Sequence, residues 1–275
     1  MHSNEGQTLR PVSSSFLEAG VLTDQYPGLT AGFTTRHGGV SQSPFSSFNL
    51  GLHVADSDRD VVNNRHKLAE ELGYPLSTWI VGEQVHETKI VKVSKQDAGL
   101  GTESLQSAIA GTDGLYTRDT GILLTSLYAD CVPLFFIAPS YQTIGLAHAG
   151  WKGTVGQIGP RMISRWQSEE GIEAKDIHVL IGPSISGEAY EVNDVVIKAV
   201  DHCLSVEMKK PYIQKENGRF LLDLKQLNKS LLLQAGIHES NIYLSSICTF
   251  SDERMFSHRG DHGTTGRMMS VIGQR

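Results

Sequence analysis

The densest apolar stretch of the chain lies near its middle. Residues 132–138 (VPLFFIA) and 143–147 (TIGLA) are two apolar runs joined by Pro-Ser-Tyr, and their length and residue types predict two strands of a hairpin. Cys131 stands just before the first run and His148 just after the second, so antiparallel pairing brings a thiol and an imidazole to one sheet end. Further strands are predicted over 16–19 and 29–35, 79–81 and 88–93, 122–127, 177–181, 242–250, 255–257 and 268–272. A helical stripe of Val61, Arg65, Leu68 and Leu72 starts from a cap at Asp56 or Ser57 and stops at Gly73. A second stripe runs from Thr154 to about Glu170, with Pro160 inside it, so that helix either kinks or begins later than Thr154. Residues 193–203 and 223–234 complete the helices, the latter capped by Asp223 and ended by Gly236.

Strands and helices mix without regular alternation, which favours α+β over a doubly wound sheet. No repeat or linker divides the 275 residues. One domain over 16–275 is expected, preceded by a flexible segment, 1–15, which is polar and has no apolar core for a signal peptide. A hydrophobic content of 39% is ordinary for a globular protein, and a net charge of −6 argues against a nucleic-acid or anionic-membrane surface. No run approaches the roughly 18 apolar residues of a membrane span. Three widely spaced cysteines without a CxxC pair do not form a disulfide framework and fit a reducing cytoplasm; Cys203 and Cys248 read as small core residues.

The candidate chemistry gathers at strand ends. His86, Cys131 and His148 supply two imidazoles and a thiolate, a donor set suited to Zn²⁺ that leaves a fourth coordination position open. Their long spacing matches no short zinc signature. The same atoms also suit a nucleophilic Cys131 with His148 as its base. Eleven histidines without one His-x-His pair argue against a multicopper oxidase cluster. Arg36, beside two glycines in a loop that runs to Asn49, is suited to an anion or to a plain surface turn; Asn64 and Arg65 interrupt the first helix with polar groups that face either solvent or a site. Asp130 and Glu83 are acid/base candidates, although alternation along an extended chain puts Asp130 on the face opposite Cys131.

Several motifs, taken in order, closely resemble one bacterial family. They are Arg36-His37-Gly38-Gly39-Val40-Ser41, Gln84-Val85-His86, Ala129-Asp130-Cys131-Val132-Pro133 and His148-Ala149-Gly150-Trp151-Lys152-Gly153-Thr154, followed by Gly182-Pro183-Ser184-Ile185 and Gly266-Arg267-Met268. The family was once labelled polyphenol oxidase or laccase-domain protein and is now described as zinc-dependent purine nucleoside phosphorylases. The resemblance implies His86, Cys131 and His148 as ligands of Zn²⁺, with Cu²⁺ as the alternative ion. It implies phosphorolysis of adenosine, inosine and methylthioadenosine, and deamination of adenosine. It also implies two facing mixed sheets covered by helices, a fold similar to the catalytic domain of cytotoxic necrotizing factors, whose Cys and His work without metal. Phosphorolysis needs a bound phosphate, for which Arg36, Arg65 and Lys152 are the nearest cations. A metal-free thiol amidohydrolase and a non-enzymatic zinc- or partner-binding protein remain the alternatives.

Overall fold

Strand pairing decides the architecture, a computed structural model that describes residues 8–275. The first half holds β1 (Arg10–Pro11), β2 (Phe16–Glu18), α1 (Gly20–Thr23), β3 (Leu29–Thr34), α2 (Asp58–Leu72), β4 (Trp79–Val81), β5 (Ile90–Lys92), β6 (Gly114–Thr117), β7 (Leu123–Tyr128) and β8 (Val132–Ala138). Next come β9 (Thr143–Ala149), α3 (Trp151–Val155), α4 (Ile158–Glu170), β10 (His178–Ile181), β11 (Glu191–Val192) and α5 (Asp194–Cys203). The chain ends with β12 (Tyr212–Gln214), β13 (Phe220–Leu222), α6 (Leu224–Gln234), β14 (Ile242–Leu244) and β15 (Met268–Gln274). One mixed sheet has the order β1-β2-β3-β15-β7-β4, a second β14-β10-β8-β9-β6-β5, and β11-β13-β12 form a small third.

The two large sheets face each other within one α+β domain. Period-two alternation sorts each apolar strand onto two faces. Phe135 and Ile137 of β8 point at Leu124 of β7 and Ile272 of β15 in the core between the sheets. Leu134 and Phe136 point the other way, onto Ile158, Met162 and Trp166 of α4 and Leu231 and Leu232 of α6. On the outer face of the first sheet, Leu127 and Val271 pack with Leu68 and Ala69 of α2. The layers are therefore helix, sheet, sheet, helix, and β8 is buried throughout. Each large apolar side chain so enclosed contributes about 1.5–3 kcal/mol.

Local chemistry explains the helix limits. Ser57 caps α2 by accepting from the Asp60 N–H, and Gly73 ends it at φ +64°. The expected helix from Thr154 is two helices, broken at Gln157 with φ +64°. Pro160 then falls in the first turn of α4, where its missing N–H has no intrahelical partner to lose.

Other expectations are corrected. The flexible segment does not extend to residue 15: Arg10 and Pro11 pair with Glu18 and Leu17, and Arg10 bridges Glu18 and Asp24. Residues 1–7 lie outside the described residues. The strand over 242–250 stops at Leu244: the Ser245 N–H still donates to Ile181 O as the last rung of the parallel pair, and its partner β10 ends at Ile181. Residues 255–257 are a buried loop rather than a strand. Among the described residues no helix is long and apolar enough to cross a membrane.

Candidate metal centre

The β8–β9 hairpin sets the site. Pro133 lies opposite His148 and Val132 opposite Ala149, so Cys131, one residue before β8, comes level with Gly150. His148 is inside β9, not beyond it as the apolar run suggested. His86 arrives from elsewhere, on the loop between β4 of the first sheet and β5 of the second, with φ +62°. The donor atoms of His86, Cys131 and His148 all lie within 4.8 Å of one another. The two imidazole rings meet edge to face with centroids 4.8 Å apart.

One carboxylate holds two of these residues. Asp113, buried just before β6, accepts the backbone N–H groups of Val85, His86 and Glu87 at 3.1, 3.0 and 2.9 Å. Its Oδ1 also accepts from His148 Nδ1 at 2.8 Å. A carboxylate can only accept, so Nδ1 of His148 carries the proton and Nε2 is left as a lone-pair donor. Those three N–H bonds also stabilise the left-handed backbone at His86, a conformation uncommon outside glycine.

The electrostatics follow from this packing. Burial alone pushes the Cys131 thiol up, but the charge of His148 and hydrogen bonds from His148 and His86 outweigh it and hold the thiol below its ordinary value. Burial disfavours the His148 cation, yet the facing Cys131 and Asp113 raise its pKa. Burial likewise pushes Asp113 up, and the hydrogen bond from His148 with those from the loop N–H groups brings it down overall. The shifts run in opposite directions across the pair, the thiol down and the imidazole up. Two imidazole nitrogens and an easily formed thiolate, with an orienting carboxylate behind one of them, fit a borderline-soft divalent metal ion.

A cavity of about 230 Å³ opens on the cluster, walled by His86, Cys131, Asp130, Trp151, Tyr190 and Arg259, with Ile185 and Leu224 behind. Of the expected acid/base residues, Asp130 is here. The predicted opposite-face placement is corrected, because φ +86° at Asp130 breaks the alternation between β7 and β8. Its carboxylate accepts from Thr249 Oγ1, Ser257 Oγ and the Arg259 N–H at 2.7, 3.0 and 2.7 Å. Glu83 lies elsewhere, exposed in a separate cleft with His53 and Arg65, where it accepts the Gly111 N–H.

The expected phosphate ligands do not wall this cavity. Arg65 is 1% exposed and spends four N–H groups on the carbonyls of Leu50, Gly101 and Thr102, so it clasps two loops and offers nothing to a substrate. Arg36 bonds Ser46 O and Met255 O and lies over Phe256. Lys152 is exposed, its ammonium 5.9 Å from the Trp151 ring centre. Sequence reasoning missed Asp113, which reads as the end of a loop, and Arg259, which stands in a charged run of no evident purpose. Tyr190 gave no signal at all.

The family model described as multi-copper polyphenol oxidoreductase laccase matches residues 30–275. The purine nucleoside phosphorylase YlmD of Geobacillus stearothermophilus is 49% identical over 251 residues, spanning 91% of this chain and 92% of that protein. Its namesake from Bacillus subtilis is 46% identical over 246 residues, 89% of this chain and 88% of that one. The crystal structure of YlmD from Geobacillus stearothermophilus superposes with a TM-score of 0.95 at 46% identity, covering 97% of this chain and 98% of that chain.

Proposed function

The chain belongs to the family described as multi-copper polyphenol oxidoreductase laccase, and from that membership we propose that it is a zinc-dependent purine nucleoside phosphorylase. Adenosine, inosine and methylthioadenosine are its proposed substrates, and adenosine deamination a second activity. The carrying observation is the His86–Cys131–His148 cluster facing a cavity with aromatic walls at Trp151 and Tyr190. The relatives' printed names support the same class of substrate. Multicopper chemistry has little support, since among the described residues this is the one group of three or more such side chains able to hold an ion.

His86, Cys131 and His148 would hold the ion, which when bound supplies Lewis acidity. The rest of the work falls to the chain. Asp113 keeps the proton on Nδ1 of His148, and the flat faces of Trp151 and Tyr190 suit a purine ring. Phosphorolysis forms a bond from a phosphate oxygen to C1′ and breaks the bond to the base nitrogen. The base departs with that electron pair and takes up a proton.

A second reading draws on one specific contact. Cys131, His148 and Asp113 also have the order of a thiol nucleophile, its base and the base's orienting carboxylate. In it His86 would serve only to help hold the Cys131 thiol down. The test is to incubate metal-quantified protein with adenosine, with and without inorganic phosphate, and identify products by mass spectrometry. Adenine and ribose 1-phosphate appearing only with phosphate is the expected result. Metal-loaded protein that releases no base under any phosphate concentration, and whose Cys131 is alkylated by iodoacetamide, would favour the thiol reading instead.

A further inference from the structure

We propose that Arg259 is the anion-binding residue of the cavity, where it receives the phosphate co-substrate, and that Asp130 is the residue that positions it. This rests on the phosphorolytic reading above. A phosphate that attacks beside the cluster needs a cation in the same cavity, and among the described residues Arg259 is the one Arg or Lys that walls it. Arg65 is closed off by its carbonyl partners, Arg36 is bonded to the carbonyls of Ser46 and Met255, and neither Arg36 nor Lys152 walls the cavity.

The Arg259 side chain is held yet still available. One Nη1–H donates to Glu191 O at 3.1 Å, and the guanidinium lies 5.3 Å above the centre of the Tyr190 ring. That leaves Nε and Nη2 as a two-pronged donor edge, the geometry that matches two oxygens of a phosphate. Tyr190 is itself a wall of the cavity, so the stacked guanidinium and the proposed purine surface are set by one ring.

Asp130 fixes the loop beneath. Its carboxylate takes the Arg259 N–H and the Ser257 hydroxyl, and Ser257 Oγ in turn takes the Gly260 N–H at 2.9 Å. The Asp130 carbonyl accepts the Ile185 N–H, securing the opposite wall. With three donors already on its carboxylate, Asp130 is suited to positioning more than to proton transfer. Because Asp130 adjoins Cys131, one short stretch of chain joins the Arg259 loop to the cluster.

The experiment compares metal-loaded wild type with Arg259→Ala, Arg259→Lys and Asp130→Asn. Phosphate and nucleoside KM are measured separately, and inorganic phosphate is titrated into each protein by calorimetry. Loss of a charge-assisted fork predicts a roughly 10- to 100-fold rise in phosphate KM for Arg259→Ala. Lysine restores part of it, and nucleoside KM moves less than about threefold. Asp130→Asn raises phosphate KM in the same direction by a smaller factor with nucleoside KM kept, a split that general loosening would not give. Should that variant fail to fold, Thr249→Val with Ser257→Ala provides the same readout. Intact phosphorolysis with unchanged phosphate KM in Arg259→Ala overturns the assignment and leaves the phosphorylase reading standing. Wild type without phosphate-dependent base release overturns the phosphorylase reading, and the calorimetry then decides alone: phosphate bound by wild type and lost in Arg259→Ala upholds the anion site, any other result overturns it.

Discussion

Asp113 is where a single side chain decides most. Its Oδ1 accepts from the His86 N–H and from His148 Nδ1, and its Oδ2 from the Val85 and Glu87 N–H groups, so both oxygens must accept. Asparagine cannot, since its amide nitrogen only donates. Asp113→Asn is therefore expected to lower metal affinity about 10- to 100-fold, measured by competition with a chromogenic chelator, while the fold survives with a loss of about 1–3 kcal/mol in urea unfolding. Undiminished affinity would mean that His86 and His148 keep their aim without it. None of this was legible in the sequence, where Asp113-Gly114 reads as a turn and its partners lie far away along the chain. That His86, Cys131 and His148 belong together was legible, though through motif resemblance more than spacing. Arg65 was half legible. Its place on the apolar stripe of α2 says that it is buried, and a buried arginine saturated by carbonyls is a clasp rather than a substrate ligand.

Among elements, the β8–β9 hairpin and the turn after it carry the site. Gly150 sits between ligands: a Cβ built there lies 3.1 Å from Cys131 Sγ and 3.1 Å from His86 Cδ2. Its backbone, at φ −62°, is one that alanine adopts without strain. Gly150→Ala should therefore spare folding and disturb the cluster, reducing the metal retained after dialysis while the thermal midpoint of metal-free protein stays within about 3 °C of wild type. Full retention of metal would show that the cluster has slack. The hairpin and the helices α2, α5 and α6 were readable because long apolar patterns and caps agree there. The small sheet of β11, β12 and β13 was not, since its short strands lie at the surface and are only partly buried, which weakens alternation. Residues 245–257 misled for a different reason: Met255 and Phe256 are buried in a loop, and apolar residues such as Ile247 and the exposed Phe250 stand there without backbone pairing, which resembles a strand in one dimension.

At the scale of the whole molecule, the order of strands could not be read locally. β15, last in the chain, lies between β3 and β7, and only tertiary pairing reveals it. In that order a metal ion held by the cluster would fasten the layers together. Cys131 and His148 belong to the hairpin of the second sheet, whereas His86 rides the crossover that leaves β4 of the first. An ion held by all three binds the folded crossover and not the open chain, so it stabilises by mass action, about 2.7 kcal/mol at a hundredfold excess over Kd. For a domain of this size that raises the melting midpoint by roughly 5–10 °C. Stripping wild type with a chelator should lower the midpoint by that amount in scanning calorimetry, and added Zn²⁺ should restore it. His86→Asn keeps a residue that tolerates the left-handed backbone while weakening the link between layers, so its stripped and loaded midpoints should nearly coincide. Equal midpoints in stripped and loaded wild type would mean instead that Asp113 alone, through its three N–H bonds to the crossover, holds the two sheets in register there.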